Sequence, residues 1–232
     1  FFRWRDTHMR LTGNAVAALQ YCFLNSWVTS GGRIEEDFDG FFPQERTLHD
    51  DKLVQIIPDQ PDRQWPMLHM GAVWAAQHAE KYLYIQTPYF VPPEPLLQAL
   101  KAAALKGCDI RIMLPEKAHL FFMDPANKSY YKECLEAGIR IYEKGGKFIH
   151  AKTAVSDSYL SIIGSANMDY RSLELSYEIN AYIYNEEVAL ENRRIFIEDL
   201  KNCKEINLEQ WEKRPWHRKI FEPLMRLFAP LL

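Results

Sequence analysis

The feature that most constrains the fold is a repeated alternation of short aromatic or β-branched runs with Ala- and Leu-rich helical segments. Tyr82–Gln86 reads as a strand, Pro95–Ala104 as a helix ending near Gly107, and Asp109–Leu114 as a second strand. The pattern continues through a helical stretch at 127–137, closed by Gly138, into strands at 139–142, 148–155, 159–163 and 177–184. A helix over Glu186–Lys201, entered through Asn185 as N-cap, closes the series. Strands alternating with helices predict an α/β fold, a mixed and partly parallel β-sheet flanked by helices on both faces. Between Thr29 and Asp51 the pattern fails: Gly31, Gly32, Gly40 and Pro43 among acids predict a linker or surface loop over 30–51. At roughly 150 residues per domain, 232 residues allow one domain and a half.

Composition narrows the function classes. Lys and Arg total 28 against 31 Asp and Glu, a net charge of −3, so the chain lacks the global basic field of non-specific nucleic-acid binders, and no nucleic-acid partner is expected. Cys22, Cys108, Cys134 and Cys203 are widely spaced, with no C-x-x-C pair and no His at ligand spacing, which predicts free thiols in a reducing compartment and no metal. No run approaches the roughly 18 apolar residues of a membrane-spanning helix. The opening Phe-Phe-Arg-Trp-Arg has no leader character, and the expectation is that it begins inside a folded element.

An internal echo places the first segment. Trp4–Leu11 followed by a helix over Ala15–Trp27 has the form of Tyr177–Ile183 followed by its helix, aligning Asp6 with Glu178 and His8 with Asn180. Either the chain carries the tail of one repeat and the whole of a second, or the echo is what any strand followed by a helix gives.

The chemistry concentrates at His150-Ala151-Lys152, with Asp157 five residues beyond the lysine. Side chains two apart on a strand share a face, so His150 and Lys152 reach one ligand while Ala151 and Thr153 face the core. That pairs a nucleophile or proton carrier with a fixed cation. The next strand ends in Gly164-Ser165-Ala166-Asn167: glycine admits close approach of an anion, and Ser165 and Asn167 are neutral donors. Glu178, opening the following strand, is placed to accept the second ring N–H of a histidine. The bare H-x-K-x4-D pattern arises by chance in about 2% of chains with this many histidines; the added Gly-Ser-x-Asn and Glu178 make coincidence remote.

This set resembles the motif of the phospholipase D superfamily, in its bacterial cardiolipin synthase branch. The likeness includes Tyr89-Phe90-Val91-Pro92, Tyr130-Tyr131 through Ala137-Gly138-Ile139, His150–Thr153, Gly164–Ser172 and the closing Ala229-Pro230-Leu231-Leu232. Phe1–Trp27 resembles the stretch that follows a first H-K-D motif, which favours the repeat reading of the echo. The resemblance implies a phospholipase D-like fold and no cofactor. It implies a phosphatidyltransferase that joins two phosphatidylglycerol molecules through a covalent phosphohistidine and releases glycerol. His150 takes one of two histidine roles, nucleophile or acid/base, the branch inclining to acid/base. Lys152 clamps the phosphate, Ser165 and Asn167 support it, Glu178 orients His150, and Asp6 orients a second histidine. Asp157 belongs to the motif, with a structural turn role favoured over proton transfer.

The family builds one site from two H-K-D motifs, and only one is present: His217 has Lys219, but Leu224 stands where Asp is needed. The expected organisation is therefore a remnant of the first repeat at 1–29, a linker at 30–51, a second domain at 52–210 and a basic tail at 211–232. The first motif, with a membrane anchor before it, is expected upstream, placing the protein on the cytoplasmic face of a bacterial inner membrane. Expected partners are phosphatidylglycerol, the upstream half and an anionic membrane surface, with a homodimer possible. A phosphodiesterase or nuclease pairing two single-motif chains, or a non-catalytic lipid-binding domain, are the competing readings. His8 is expected to be structural. Phe121-Phe122-Met123 suits either a lipid contact or the core. The tail from Trp211 carries five cations against two anions among aromatic and aliphatic residues, which suits an interfacial helix as well as a packed one; Pro223 is expected to interrupt either.

Overall fold

A computed structural model describes residues 3–34, 38–42, 52–61 and 63–228. Its centre is an eight-stranded mixed sheet in the order Cys203–Glu205, Arg140–Lys144, Asp109–Pro115, Tyr82–Gln86, Thr153–Ser156, Leu160–Gly164, Glu178–Tyr184, Leu53–Asp59. The 82–86, 109–115 and 140–144 strands are parallel, and every other neighbour in the sheet is antiparallel. The 82–86 strand is buried throughout, and its alternation divides the core in two. Leu83 and Ile85 face the helices Met67–His78, Glu94–Leu105 and 123–136, while Tyr82 and Tyr84 face Ala189 and Phe196 of the helix Glu186–Leu200. The sheet thus has helices on both faces, as its sequence alternation predicts.

Local chemistry sets the boundaries. Pro95 in the first turn and Gly107 at φ 100° bracket the helix Glu94–Leu105, whose Leu96, Leu97, Leu100 and Ala103 form its buried stripe. The Asn185 side chain accepts from Val188 N at 3.1 Å and caps the helix Glu186–Leu200 as expected. Asn192 on that helix donates to Ala154 O at 3.1 Å, tying the helix to the sheet. Leu53–Asp59 and Met67–His78 escape the alternation: the first is an edge strand containing Pro58, which only an edge tolerates, and the second is apolar on most sides.

Three expectations change. The stretch 148–155 is not one strand: Phe148–Ile149 pairs with Trp4–Arg5, Thr153–Ser156 joins the main sheet, and 150–152 is the switch between partners. Pro223 does not interrupt the tail, since the helix runs through it from Trp216 to Arg226. Ion pairs on both sides of the proline, Arg214–Glu222 at 2.9 Å and Arg226–Glu133, hold the helix despite the missing backbone donor. Of the expected linker, residues 38–41 form a 3₁₀ turn, while 35–37 and 43–51 lie outside the described residues, as do Phe1, Phe2 and Ala229–Leu232. Among the described residues no helix is long and apolar enough to cross a membrane.

Asp157 is a folding residue. It sits in the left-handed region at φ 53°, and its carboxylate accepts the backbone N–H of Glu80 at 2.8 Å and those of Lys81 and Tyr82 at 2.9 Å each. It therefore anchors the start of the 82–86 strand. Five residues of extended chain, about 16 Å, separate it from Lys152, and its carboxylate oxygens are taken up by these three amides. Asp157→Ala should lower unfolding free energy by about 2 kcal/mol, the scale for removing charged hydrogen bonds. Urea denaturation checks this, and phosphate-site binding by the folded fraction should be unchanged.

Candidate active site

The site lies along the edge formed by the ends of the central strands, where His150 and Lys152 sit in the partner switch just before the Thr153–Ser156 strand. Ala151 and Thr153 are buried and His150 and Lys152 are not, so the alternation predicted for a strand survives although the ladder is interrupted. His150 N donates to Arg5 O at 2.9 Å, and Trp4 and Arg5 register with Phe148 and Ile149. One residue further along this parallel pair, Asp6 faces His150, with Asp6 Oδ2 3.1 Å from His150 Nδ1. The indole of Trp4 meets the imidazole edge-on, with centroids 4.3 Å apart. The imidazole is thus held on one flank by a carboxylate and on the other by an aromatic ring, and Nε2 is the nitrogen left for chemistry.

Two carboxyl groups singled out in the sequence meet partners other than the expected ones. Asp6 orients His150 itself, not a second histidine, because the register of 4–5 on 148–149 brings it there. Glu178 makes no hydrogen bond to His150 among the described residues, and the strand Leu160–Gly164 lies between its own strand and the 153–156 strand. Glu178 instead acts on Lys152. Burial lowers the Lys152 ammonium to about 8, against the opposing pull of Asp6, Glu178 and Asp169. Lys152 Nζ donates to His150 O at 2.7 Å, which fixes the ammonium beside the histidine. Burial also pushes the Glu178 carboxyl up, opposed by a hydrogen bond from Ser165 and by the charge of Lys152.

Ser165 and Asn167 reach the same edge, but both are committed to the protein. Ser165 Oγ accepts from Ile179 N at 2.9 Å, and Asn167 Nδ2 donates to Ser172 Oγ at 3.1 Å. Asn167 Oδ1 is buried without a hydrogen-bond partner among the described residues. Gly164 is required by packing rather than by an anion: a Cβ there would sit 2.0 Å from Asn180 Oδ1, which accepts from Ala166 N. His8 stays out of the site and lines a separate cavity of about 780 Å³ with Lys52, Leu53 and Glu191.

Several contributors have no signal in the linear pattern. Arg5 clamps the strap that carries Asp6: its guanidinium donates to Asp6 O at 2.6 Å and Thr7 Oγ1 at 2.8 Å, and reaches Asp199 Oδ2 at 2.6 Å. Asp169, buried beside Ser172, accepts from Ser172 N at 2.7 Å; burial pushes its carboxyl up against those hydrogen bonds. The Met-Asp-Tyr-Arg-Ser run after Asn167 was the one available hint of that pocket.

Two measurements follow from this geometry. Arg5→Ala should release the strap, so hydrogen exchange at the Phe148 and His150 amides, which donate to Arg3 O and Arg5 O, should speed up while Thr153–Ser156 stays protected. Because Lys152 titrates near 8, its charged form and its hold on an anion are present below that pH and fade above it. Sulfate affinity should fall about tenfold per pH unit well above pH 8 in the native chain, and Lys152→Met should bind weakly and lose that slope.

The family described as "Cardiolipin synthase, PLD-like domain" matches residues 74–200. A cardiolipin synthase of Clostridium perfringens strain SM101 is 40% identical over 235 residues, covering 99% of this chain and 49% of that protein. A cardiolipin synthase of Listeria monocytogenes serotype 4a is 37% identical over 235 residues, covering 100% of this chain and 48% of its own length. The chain thus spans about half the length of the curated relatives it matches. Among solved structures, the phospholipase D family member Nuc from Salmonella typhimurium aligns at a TM-score of 0.56 with 17% identity, over 68% of this chain and 99% of that one. Phosphatidylserine synthase from Haemophilus influenzae Rd KW20 aligns at 0.59 with 17% identity, over 77% of this chain and 45% of that one. The fold is therefore phospholipase D-like, and the chain belongs to the family of cardiolipin synthase PLD-like domains.

Proposed function

We propose that this chain is the second catalytic half of a cardiolipin synthase, which moves a phosphatidyl group from one phosphatidylglycerol to another and releases glycerol. The observation that carries the reading is the His150–Asp6 pair, at 3.1 Å, beside a partly buried ammonium. Asp6 accepts the Nδ1 proton, leaving Nε2 to carry or receive the proton that chemistry moves. In the first step one imidazole nitrogen attacks phosphorus, the P–O bond to glycerol breaks, and the facing imidazolium gives its proton to the leaving oxygen. In the second, that imidazole takes the proton of the acceptor hydroxyl, whose oxygen attacks phosphorus as the P–N bond breaks. His150 is the acid/base in this reading, and Lys152 offsets charge on the phosphoryl oxygens.

Glu178 then has a different partner. It stands at the site edge with no imidazole of this chain bonded to it among the described residues, while its counterpart in the echo, Asp6, holds His150. Two halves related by that echo would exchange carboxylates, Asp6 serving His150 and Glu178 serving the histidine of the upstream half. The reading places the assembled enzyme at a membrane surface, where its lipid substrates reside.

In the assembled enzyme, His150→Ala or Lys152→Ala should lower turnover by at least about 10²-fold. Near-native turnover in the His150→Ala enzyme would sink the assignment. The positive charge comes from lysine, so activity should survive exhaustive chelation, and restoration by a stoichiometric metal would contradict the reading. The chain alone should make no cardiolipin, because a single imidazole cannot stand on both sides of an in-line displacement. Assay on phosphatidylglycerol vesicles, with and without the co-expressed upstream half, separates the outcomes: robust synthesis by the lone chain refutes the split site. Failure of the reconstituted pair on phospholipid, with cleavage of nucleic acid, would favour the nuclease reading.

A further inference from the structure

The helix Trp216–Arg226 is turned inside out for a helix packed on a protein. Glu222, 2% exposed, faces inward and is met by Arg214 at 2.9 Å. Arg226 also turns inward, pairing with Glu133 and lying 4.2 Å over the Tyr130 ring. Met225 packs against the core, but six apolar side chains of the helix and the two residues after it point out: Trp216, Ile220, Phe221, Leu224, Leu227 and Phe228 range from 47% to 74% exposed. At 100° per residue these six fall within an arc of about 140°. A soluble helix places that arc on the core and its charges in water, and here the two are exchanged. An exposed patch of this kind marks an interaction surface.

We propose that this outward arc docks the protein on an anionic phospholipid bilayer, the helix lying in the interfacial plane. Charge placement selects that occupant. Arg214 and Arg226 are consumed by inward ion pairs, whereas Arg218 and Lys219 form none among the described residues. On the helical wheel the two lie about 60° outside the apolar arc, one on each side, and the acid of this helix, Glu222, is buried. An apolar arc bordered by cations, with a tryptophan at one end, has the composition of an interfacial amphipathic helix. Eleven residues span about 16 Å, too short to cross a bilayer.

The helix packs on Met123–Ser129, and just before that segment Phe121 is 86% exposed. Two residues earlier the His119 ring lies 6.5 Å from Trp4, whose own ring touches His150. In the proposal the exposed Phe121, beside the segment on which the helix packs, joins the helix as a lipid contact. The proposal rests on the reading above only in taking phospholipid as the occupant; the inverted helix is independent of the reaction.

The test is co-sedimentation of the chain with extruded phosphatidylglycerol or phosphatidylcholine vesicles. Binding should favour phosphatidylglycerol and weaken with salt. Ile220→Ser with Leu224→Ser should lower partition into phosphatidylglycerol vesicles by at least about tenfold. Arg218→Gln with Lys219→Gln should erase the preference over phosphatidylcholine. Brominated lipid should quench tryptophan fluorescence in the native chain and less in Trp216→Phe. Thermal melting serves as the folding control, and Leu227→Ser replaces any variant whose melting shifts. Unchanged partition in the serine variants overturns the proposal. So does a chain that ignores vesicles but forms a dimer that these substitutions dissociate, which would make the face a protein interface. His150→Ala should bind vesicles normally. Helix-dependent docking without cardiolipin synthesis by the assembled enzyme would therefore refute the reaction alone, and synthesis with helix-independent binding would refute the docking alone.

Discussion

Asp199, at the end of the helix on the sheet's second face, takes three side chains at once: Arg5 at 2.6 Å, Gln86 at 2.9 Å and Lys144 at 3.2 Å. Burial would push its carboxyl up, but Gln86, Arg5 and Lys144 outweigh burial and hold it below the usual range. Each partner comes from a different part of the molecule: Gln86 from the centre of the sheet, Lys144 from the strand near its edge, Arg5 from the first described segment. Without Arg5 on Asp199 the Trp4–Arg5 strand has only two residues of ladder to hold it against Phe148–Ile149. The orientation of His150 is thus a consequence of an ion pair made by residue 5 with residue 199, and the half-site inherits its rigidity from the helix–sheet interface.

That dependence explains what a linear reading can and cannot see. The 82–86 strand and the helix over 186–200 are local objects, with period and caps written into adjacent residues, and they appear where the pattern puts them. His150 and Lys152 share a face because spacing of two survives even where the ladder breaks. The partner of His150 is not local. Asp6 and Glu178 are both acids at the start of strand-like runs, and only the parallel register of 4–5 on 148–149 decides between them. Gly164 shows the same limit: an anion-binding glycine and a glycine crowded by Asn180 look identical in sequence and differ only in what lies opposite. Pro223 shows it again, since the ion pairs that hold its helix come from Arg214, in the bend just before it, and Glu133, far back in the chain.

The electrostatics of the edge form a coherent whole once Asp6 is placed. Three carboxyl groups act on Lys152, and fully ionised they would repel a phosphodiester as strongly as the lysine attracts it. Burial changes that balance. It pushes up the Glu178 and Asp169 carboxyls and lowers Lys152, so desolvation works against charge of either sign at this site. An arriving phosphate anion reverses the second effect without the first: its charge raises Lys152 toward the ammonium form and raises the neighbouring acids further toward neutrality. In the proposed assembly the upstream half would add a histidine for Glu178 and its own cation, and Glu178, which meets Ser165 and Lys152 but no imidazole among the described residues, is the carboxyl that such a partner would complete.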